Sequence, residues 1–110
     1  RLVIEHVTSR WGVLILIELL DRPHRFSELR RAVSGYGRAV SEKMLTQTLR
    51  ALERDGLLTR TVTPTVPVTV TYELTDLGLS LHHMTRGLRE WAQSNMDHVL
   101  ANREKHDARA

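Results

Sequence analysis

Long polar side chains recur on one face of a candidate helix near the middle of the chain. Leu49 and Leu52 fall within about 40° of Leu45 on a helical wheel, and Lys43, Gln47 and Arg50 fall on the opposite face. Arginine can hydrogen-bond the major-groove edge of guanine, and glutamine that of adenine. This segment predicts a helix with one buried face and one face able to contact DNA. A merely solvated helix face is the alternative interpretation.

Basic residues are concentrated around this helix. The 110 residues carry 16 Lys+Arg and 13 Asp+Glu, a net charge of +3 with histidine neutral. Residues 22–60 alone hold nine bases and four acids, whereas the rest of the chain holds seven bases and nine acids. A local basic stretch favours a polyanionic partner, most often nucleic acid.

Other kinds of chemistry have little support. Cysteine is absent, so these residues hold no thiol nucleophile and no thiolate metal site. The adjacent His82 and His83 point to different faces of a helix, and no histidine spacing is typical of a metal site. No nucleophile elbow or glycine-rich phosphate loop is present. We therefore expect no metal, no cofactor and no enzymatic activity.

The segments flanking the candidate helix carry capping and turn signals. Apolar residues nearly encircle residues 10–20, which predicts a central core helix. Ser9 is its predicted N-cap, Ser27 is that of a short helix over 28–33, and Ser41 is that of the basic-faced helix over 42–55. Gly56 then stands at a helix stop position.

After Gly56 the apolar period changes from that of a helix to that of strands. Apolar and polar residues alternate over 58–63 and again over 66–74, and Pro64 and Pro67 bracket the turn between them. Two helices around a turn, followed by a hairpin, form a winged helix-turn-helix. We therefore predict an α+β, mainly helical, single-domain fold, with the motif and its wing over about 24–75.

A last long helical region is predicted to open at Thr75 and to fray beyond Asn102. Four of its apolar residues follow spacings of three and four: Leu81, Met84, Leu88 and Trp91. This stripe resembles a heptad seam. We predict that it mediates dimerisation, through helices over about 2–8 and 76–101. Packing of the stripe on the domain's own core is the alternative.

Three stretches of sequence carry a family resemblance: RFSELRR at 25–31, SEKMLTQTLR at 41–50 and YELT at 72–75. Over roughly residues 2–95 the chain resembles the HxlR-type family of bacterial winged helix-turn-helix transcriptional regulators. The resemblance implies a homodimer, packed through its terminal helices, on palindromic or repeated operator DNA.

The turn between the two helices of the motif is longer than is usual in this family, so Tyr36–Ala39 is interpreted as an insertion. Some family members sense oxidants through a cysteine that would fall ahead of Arg1.

These observations define a set of candidate residues. The predicted contacts with double-stranded DNA are Arg25, Ser41, Lys43, Thr46, Gln47, Arg50 and Arg60. At least one of Arg25, Arg30 and Arg31 is expected to clamp a phosphate, unless these arginines pair with Glu28 or Glu53.

Two other functions stay open. The basic face could bind an acidic protein, or a small-molecule effector could occupy a pocket between the terminal helices and the core.

The longest apolar run is too short to span a membrane and no signal peptide opens the chain, so a cytoplasmic protein is expected.

Overall fold

The computed structural model describes residues 3–109, and the Leu2 end of the predicted first helix lies outside that range. Within it the chain forms six helices and three strands. In chain order they are α1 (Val3–Val7), α2 (Arg10–Asp21), β1 (His24–Arg25), α3 (Phe26–Ser34), α4 (Glu42–Arg54), β2 (Leu58–Thr63), β3 (Thr69–Leu74), α5 (Asp76–Leu79) and α6 (His82–Arg109). The mainly helical α+β prediction is confirmed.

Helix α2 lies at the centre of the molecule and contacts α1, α3, α4, α6 and β3. The side chains of Ile15 and Leu16 are almost completely buried, as expected for a helix that is apolar around most of its circumference. Leu29 and Val33 of α3 and Leu45 of α4 complete the core beside them. The core therefore joins both helices of the helix-turn-helix to one central support.

Side-chain caps set the start of several helices. Ser9 Oγ accepts the N–H of Gly12, and Ser41 Oγ accepts that of Met44, each at 3.1 Å, so both predicted caps are confirmed. The cap predicted at Ser27 is wrong, because α3 begins at Phe26. Residue 25 belongs to β1 and takes the extended cap conformation, and its N–H donates to Glu28 Oε1 at 2.9 Å.

The sheet has three strands in the order β1-β3-β2, all antiparallel. The sequence predicted only the hairpin, because a strand of two residues is too short to show alternation. Strand β3 begins at Thr69, so the strand predicted from Val66 starts too early. Residues 64–68 instead form the tip of the wing, at which Thr65 Oγ1 donates to the carbonyl of Pro67 at 2.8 Å.

The predicted C-terminal helical region is divided into α5 and α6. Gly78 packs so closely on Leu57, the residue before β2, that a Cβ there would lie 2.0 Å from the carbonyl oxygen of Leu57. This contact holds α5 against the sheet. Helix α6 then continues to Arg109, so the fraying predicted after Asn102 is wrong. Its 28 residues extend about 42 Å, beyond the core of a molecule 57 Å long.

Candidate nucleic-acid interface

Helix α4 presents the amphipathic pattern that the sequence predicted. Leu45, Leu49 and Leu52 are buried, whereas Lys43, Gln47 and Arg50 are exposed. Ser41 at the start of the helix is also exposed. One side of α4 is thus anchored in the core, and the opposite side presents hydrogen-bond donors to solvent.

A groove of about 450 Å³ separates α4 from the sheet. Thr46 and Arg50 line it from α4, and Arg60 lines it from β2. The remaining lining residues are Phe26, Leu49, Val70 and Tyr72. The structure therefore brings three of the seven predicted DNA-contacting residues around one concave surface.

Strand register places Arg60 on the groove side of the wing. Arg60 lies opposite Tyr72 on β3, and Tyr72 lies opposite His24 on β1. Residues directly opposite each other in a sheet project from the same face. Tyr72 and His24 are buried on this inner face, so Arg60 is an exposed cation on the face that turns towards α4.

The exposed cations of α4 and β2 have no partner among the residues that the structure describes. Within residues 3–109, the side chains of Lys43, Arg50 and Arg60 form no hydrogen bond or ion pair. Arg30 contrasts with them, because its Nη1 lies 3.2 Å from Glu42 Oε1 and its Nε donates to the carbonyl of Val40 at 3.1 Å. The partner of Arg30 is therefore neither Glu28 nor Glu53, and the side chain braces the start of α4.

Of the four predicted residues that do not line this groove, two line other depressions. Arg25 pairs in register with Thr71, so it projects from the outer face of the sheet. There it lines a second groove with Ser27 and the wing residues Pro67, Val68 and Thr69. Gln47 lies on the exposed face of α4 and also borders a shallow depression next to His6 and Ser9. The candidate DNA-binding surface is consequently wider than one groove.

Sequence reasoning missed two contributions to this region. Tyr72 forms part of the groove, and its alternation with the polar residues Thr71 and Glu73 is the signal that could have located it. A polar cluster also lies behind the motif. The hydroxyl of Tyr36 donates to Glu18 Oε1 at 2.8 Å, and Glu18 Oε2 lies 3.9 Å from His24 Nε2. These residues are too far apart in the chain for any local pattern to reveal them.

The apolar stripe predicted from Leu81, just before α6, to Trp91 divides between two surroundings. Leu81 is partly buried against the core. Met84, Leu88 and Trp91 are exposed, Trp91 to 59%.

An apolar groove of about 280 Å³ lies between α2 and α6, where the effector hypothesis requires a pocket. It is lined by Val13, Leu14, Ile17, Tyr36, Leu88, Arg89, Ala92, Gln93 and Met96.

The described part of the chain contains no membrane-spanning candidate and no metal-binding cluster. No helix between residues 3 and 109 is long and apolar enough to cross a bilayer. Over the same residues, no three His, Asp or Glu side chains are grouped so that they could hold a metal ion.

Comparison with known proteins places this geometry in a family. A model of the HxlR-like helix-turn-helix family matches residues 6–100. The uncharacterized HTH-type transcriptional regulator YtfH of Escherichia coli is 50% identical over 108 residues, which cover 98% of this chain and 82% of YtfH.

Solved structures show the same relationship. The putative transcriptional regulator ytfH from Salmonella typhimurium has a TM-score of 0.80 and 53% identity, covering 93% of this chain and 88% of that one. The redox regulator HypR in its oxidized form has a TM-score of 0.77 and 32% identity, covering 84% and 92% of the two chains. Both the family model and these relatives match a chain that has helix α4, the wing and the basic groove. The chain therefore belongs to the HxlR-like helix-turn-helix family of DNA-binding transcriptional regulators.

Proposed function

We propose that the protein recognises a specific duplex operator by inserting α4 into the major groove. Lys43, Thr46, Gln47 and Arg50 face the base edges, and Arg60 contacts a phosphate of the adjacent backbone. The observation that carries this proposal is the groove in which Arg50 and Arg60 face each other without an acidic partner among the described residues. A phosphodiester backbone supplies the missing negative charge.

Two further positions extend the interface. Ser41 is exposed at the start of α4, where the free backbone N–H groups and the helix dipole favour a phosphate. Arg25 lies beside the wing tip on the outer face of the sheet, from which it reaches a different phosphate from that of Arg60. Recognition would thus combine base contacts from one helix with backbone contacts on both sides of the wing.

Two copies of the chain are proposed to bind together. Met84, Leu88 and Trp91 lie at spacings of four and three on α6 and are exposed, so a second copy could bury them. A twofold dimer places two recognition helices on half-sites about 34 Å apart. The operator is therefore an inverted or otherwise repeated sequence, bound in the cytoplasm.

Selection of bound duplexes from a random DNA pool tests the proposal. Sequencing after several rounds at near-physiological salt should recover a repeated motif. The affinity for that motif should fall with salt at a log–log slope of about −0.9 for each phosphate contact. Recovery of no motif, with weak binding that moderate salt abolishes, would reject sequence-specific binding and favour an acidic protein as the partner of the basic face.

A further inference from the structure

The turn that leads into α4, the proposed recognition helix, makes few contacts with the rest of the fold. Residues 35–39 are all exposed. At the end of the turn, the N–H of Val40 donates to Ser34 Oγ at 3.2 Å, and the Val40 side chain is buried. Among residues 35–39, Tyr36 is the one whose side chain bonds to another element: its hydroxyl reaches Glu18 on α2. Tyr36 is thus the link between the first part of this turn and the central helix.

The acceptor of this hydrogen bond also lies near a buried histidine. Glu18 is partly buried, and its second carboxylate oxygen lies 3.9 Å from Nε2 of His24. His24 Nδ1 lies 2.8 Å from the carbonyl oxygen of Arg22. On β3, the register partner of His24 is Tyr72, which lines the groove with Arg50 and Arg60. The cluster therefore connects the turn, the central helix and the sheet.

The hydroxyl of Tyr36 is suited to a lasting structural bond. Burial and the hydrogen bond to Glu18 raise the pKa of Tyr36 to about 12. The hydroxyl therefore keeps its proton, and can donate to Glu18, throughout the pH range of cells. A bond from a neutral donor to a charged acceptor is among the stronger hydrogen bonds in proteins.

The same residue also contacts the space between α2 and α6. Tyr36 lines the apolar groove there, together with Leu14 of α2 and with Leu88 and Ala92 of α6. Beside this groove, Arg89 of α6 pairs with Asp21 at the end of α2, with 3.4 Å between Nη1 and Oδ2. A change in the packing of α6 on α2 would therefore act on Tyr36.

We propose that Tyr36 is a positioning residue that fixes the recognition helix through Glu18 and couples its placement to the packing of α6. The inference rests on the proposed function, because it concerns the affinity of α4 for its operator. It adds a route by which events at the dimerisation helix reach the DNA-binding surface. The hydrogen bond between Tyr36 and Glu18 holds the turn on α2. The turn ends at Ser41, whose hydroxyl oxygen caps α4.

Removal of the hydroxyl tests the positioning role. Tyr36→Phe should lower affinity for the selected operator by roughly three- to tenfold and leave non-specific affinity and the salt slope unchanged. Arg38→Lys is the control in the same turn, because Arg38 is exposed and has no bond within residues 3–109 and the substitution keeps its charge; it should leave operator affinity nearly unchanged. Equal losses on operator and random DNA in Tyr36→Phe would overturn the proposal.

A double-mutant cycle with Glu18→Ala, which removes the acceptor oxygens, identifies the partner. If Tyr36 acts through Glu18, the two substitutions should be non-additive, so that Tyr36→Phe has little further effect on operator affinity in the Glu18→Ala background. Additive losses would mean that Tyr36 acts independently, for example by touching the DNA directly, and would contradict the inference.

A measurement without DNA separates this inference from the proposed function. Amide hydrogen exchange at residues 36, 37 and 40 should accelerate in Tyr36→Phe by more than exchange at the core amides of α2. If the wild-type protein selected no operator, the proposed function would fail, yet this measurement would still report on the turn. Unchanged exchange at all three amides would overturn the positioning role.

Filling the groove tests the coupling to α6. Ala92→Phe should displace Tyr36 and accelerate exchange in the turn, because the added ring occupies the groove. Ala101→Phe is the matched control, since residue 101 lies nine positions further along α6 and projects from the opposite face. Equal exchange rates in the turn for the two variants would reject the coupling.

Discussion

Arg50 on α4 and Arg60 on β2, ten residues apart in the chain, line opposite walls of one groove. Neither guanidinium has an acidic partner within residues 3–109. Two like charges that face a common groove repel each other, and water screens this repulsion only in part. A bound polyanion neutralises both charges and so offsets this repulsion. We therefore propose that the DNA backbone lies against this pair.

Replacement of Arg60 should affect all DNA sequences alike. If Arg60 contacts a phosphate, Arg60→Ala removes one released counterion, and the log–log salt slope becomes shallower by about 0.9. Fluorescence anisotropy with operator and random duplexes over a salt series measures this change. Arg103→Ala, exposed on the distal part of α6, is the control. A loss confined to the operator would instead assign Arg60 to base recognition.

Replacement of Arg50 should have a different signature. If Arg50 hydrogen-bonds a base, Arg50→Ala costs about 1–3 kcal/mol of specific binding free energy and relaxes the preference at one operator position. Repeating the selection from random DNA with the variant reveals that position. An unchanged motif and unchanged affinity would remove Arg50 from the interface.

A charge on the exposed stripe of α6 should dissociate the proposed dimer. Leu88→Glu places a carboxylate where a second copy would bury an apolar side chain, so the protein should become monomeric in sedimentation velocity and lose most operator affinity. Arg86→Glu, two residues earlier and on the opposite face of the helix, should leave the mass unchanged. A wild-type monomer at micromolar concentration would contradict the dimer outright.

Two glycines should respond to alanine in opposite directions. Gly78→Ala places a Cβ 2.0 Å from the carbonyl oxygen of Leu57, so α5 must move away from Leu57 and the free energy of unfolding should fall by more than about 1 kcal/mol. Gly87 lies within α6 with no atom near its would-be Cβ, and Gly87→Ala should stabilise by up to about 1 kcal/mol. Urea unfolding of both variants measures the changes; the same sign for both would refute the packing at Gly78.

The raised pKa of Tyr36 predicts a stability change in alkali. The pKa of Tyr36 is about 12 in the folded protein against 10.0 for an ordinary tyrosine. Its contribution to stability is complete below pH 10 and is lost as the pH rises towards 12, because the unfolded state releases its proton first. Urea unfolding at pH 9 and pH 11 should show a smaller decrease for Tyr36→Phe than for wild type. Equal decreases would contradict the bond to Glu18.

Local patterns predicted the elements that depend on neighbouring residues in the chain. The caps at Ser9 and Ser41 and the buried stripe of α4 were predicted correctly because each arises within one or two helical turns. The start of α3 was mispredicted because β1 draws residue 25 into the sheet. The division between α5 and α6 was missed because it accompanies the contact of Gly78 with the backbone of Leu57, which is distant in the chain.

The sequence by itself determined the fold class, the basic face of α4 and the family, since periodicity, capping and the runs at 25–31 and 41–50 are properties of the chain. Only the tertiary structure decided which cations share a surface. It placed Arg60 with Arg50, Arg25 on the other face of the wing, and Arg30 on Glu42. The physical reason is that strand register and helix packing join residues far apart in sequence, and a local pattern carries no information about those distances.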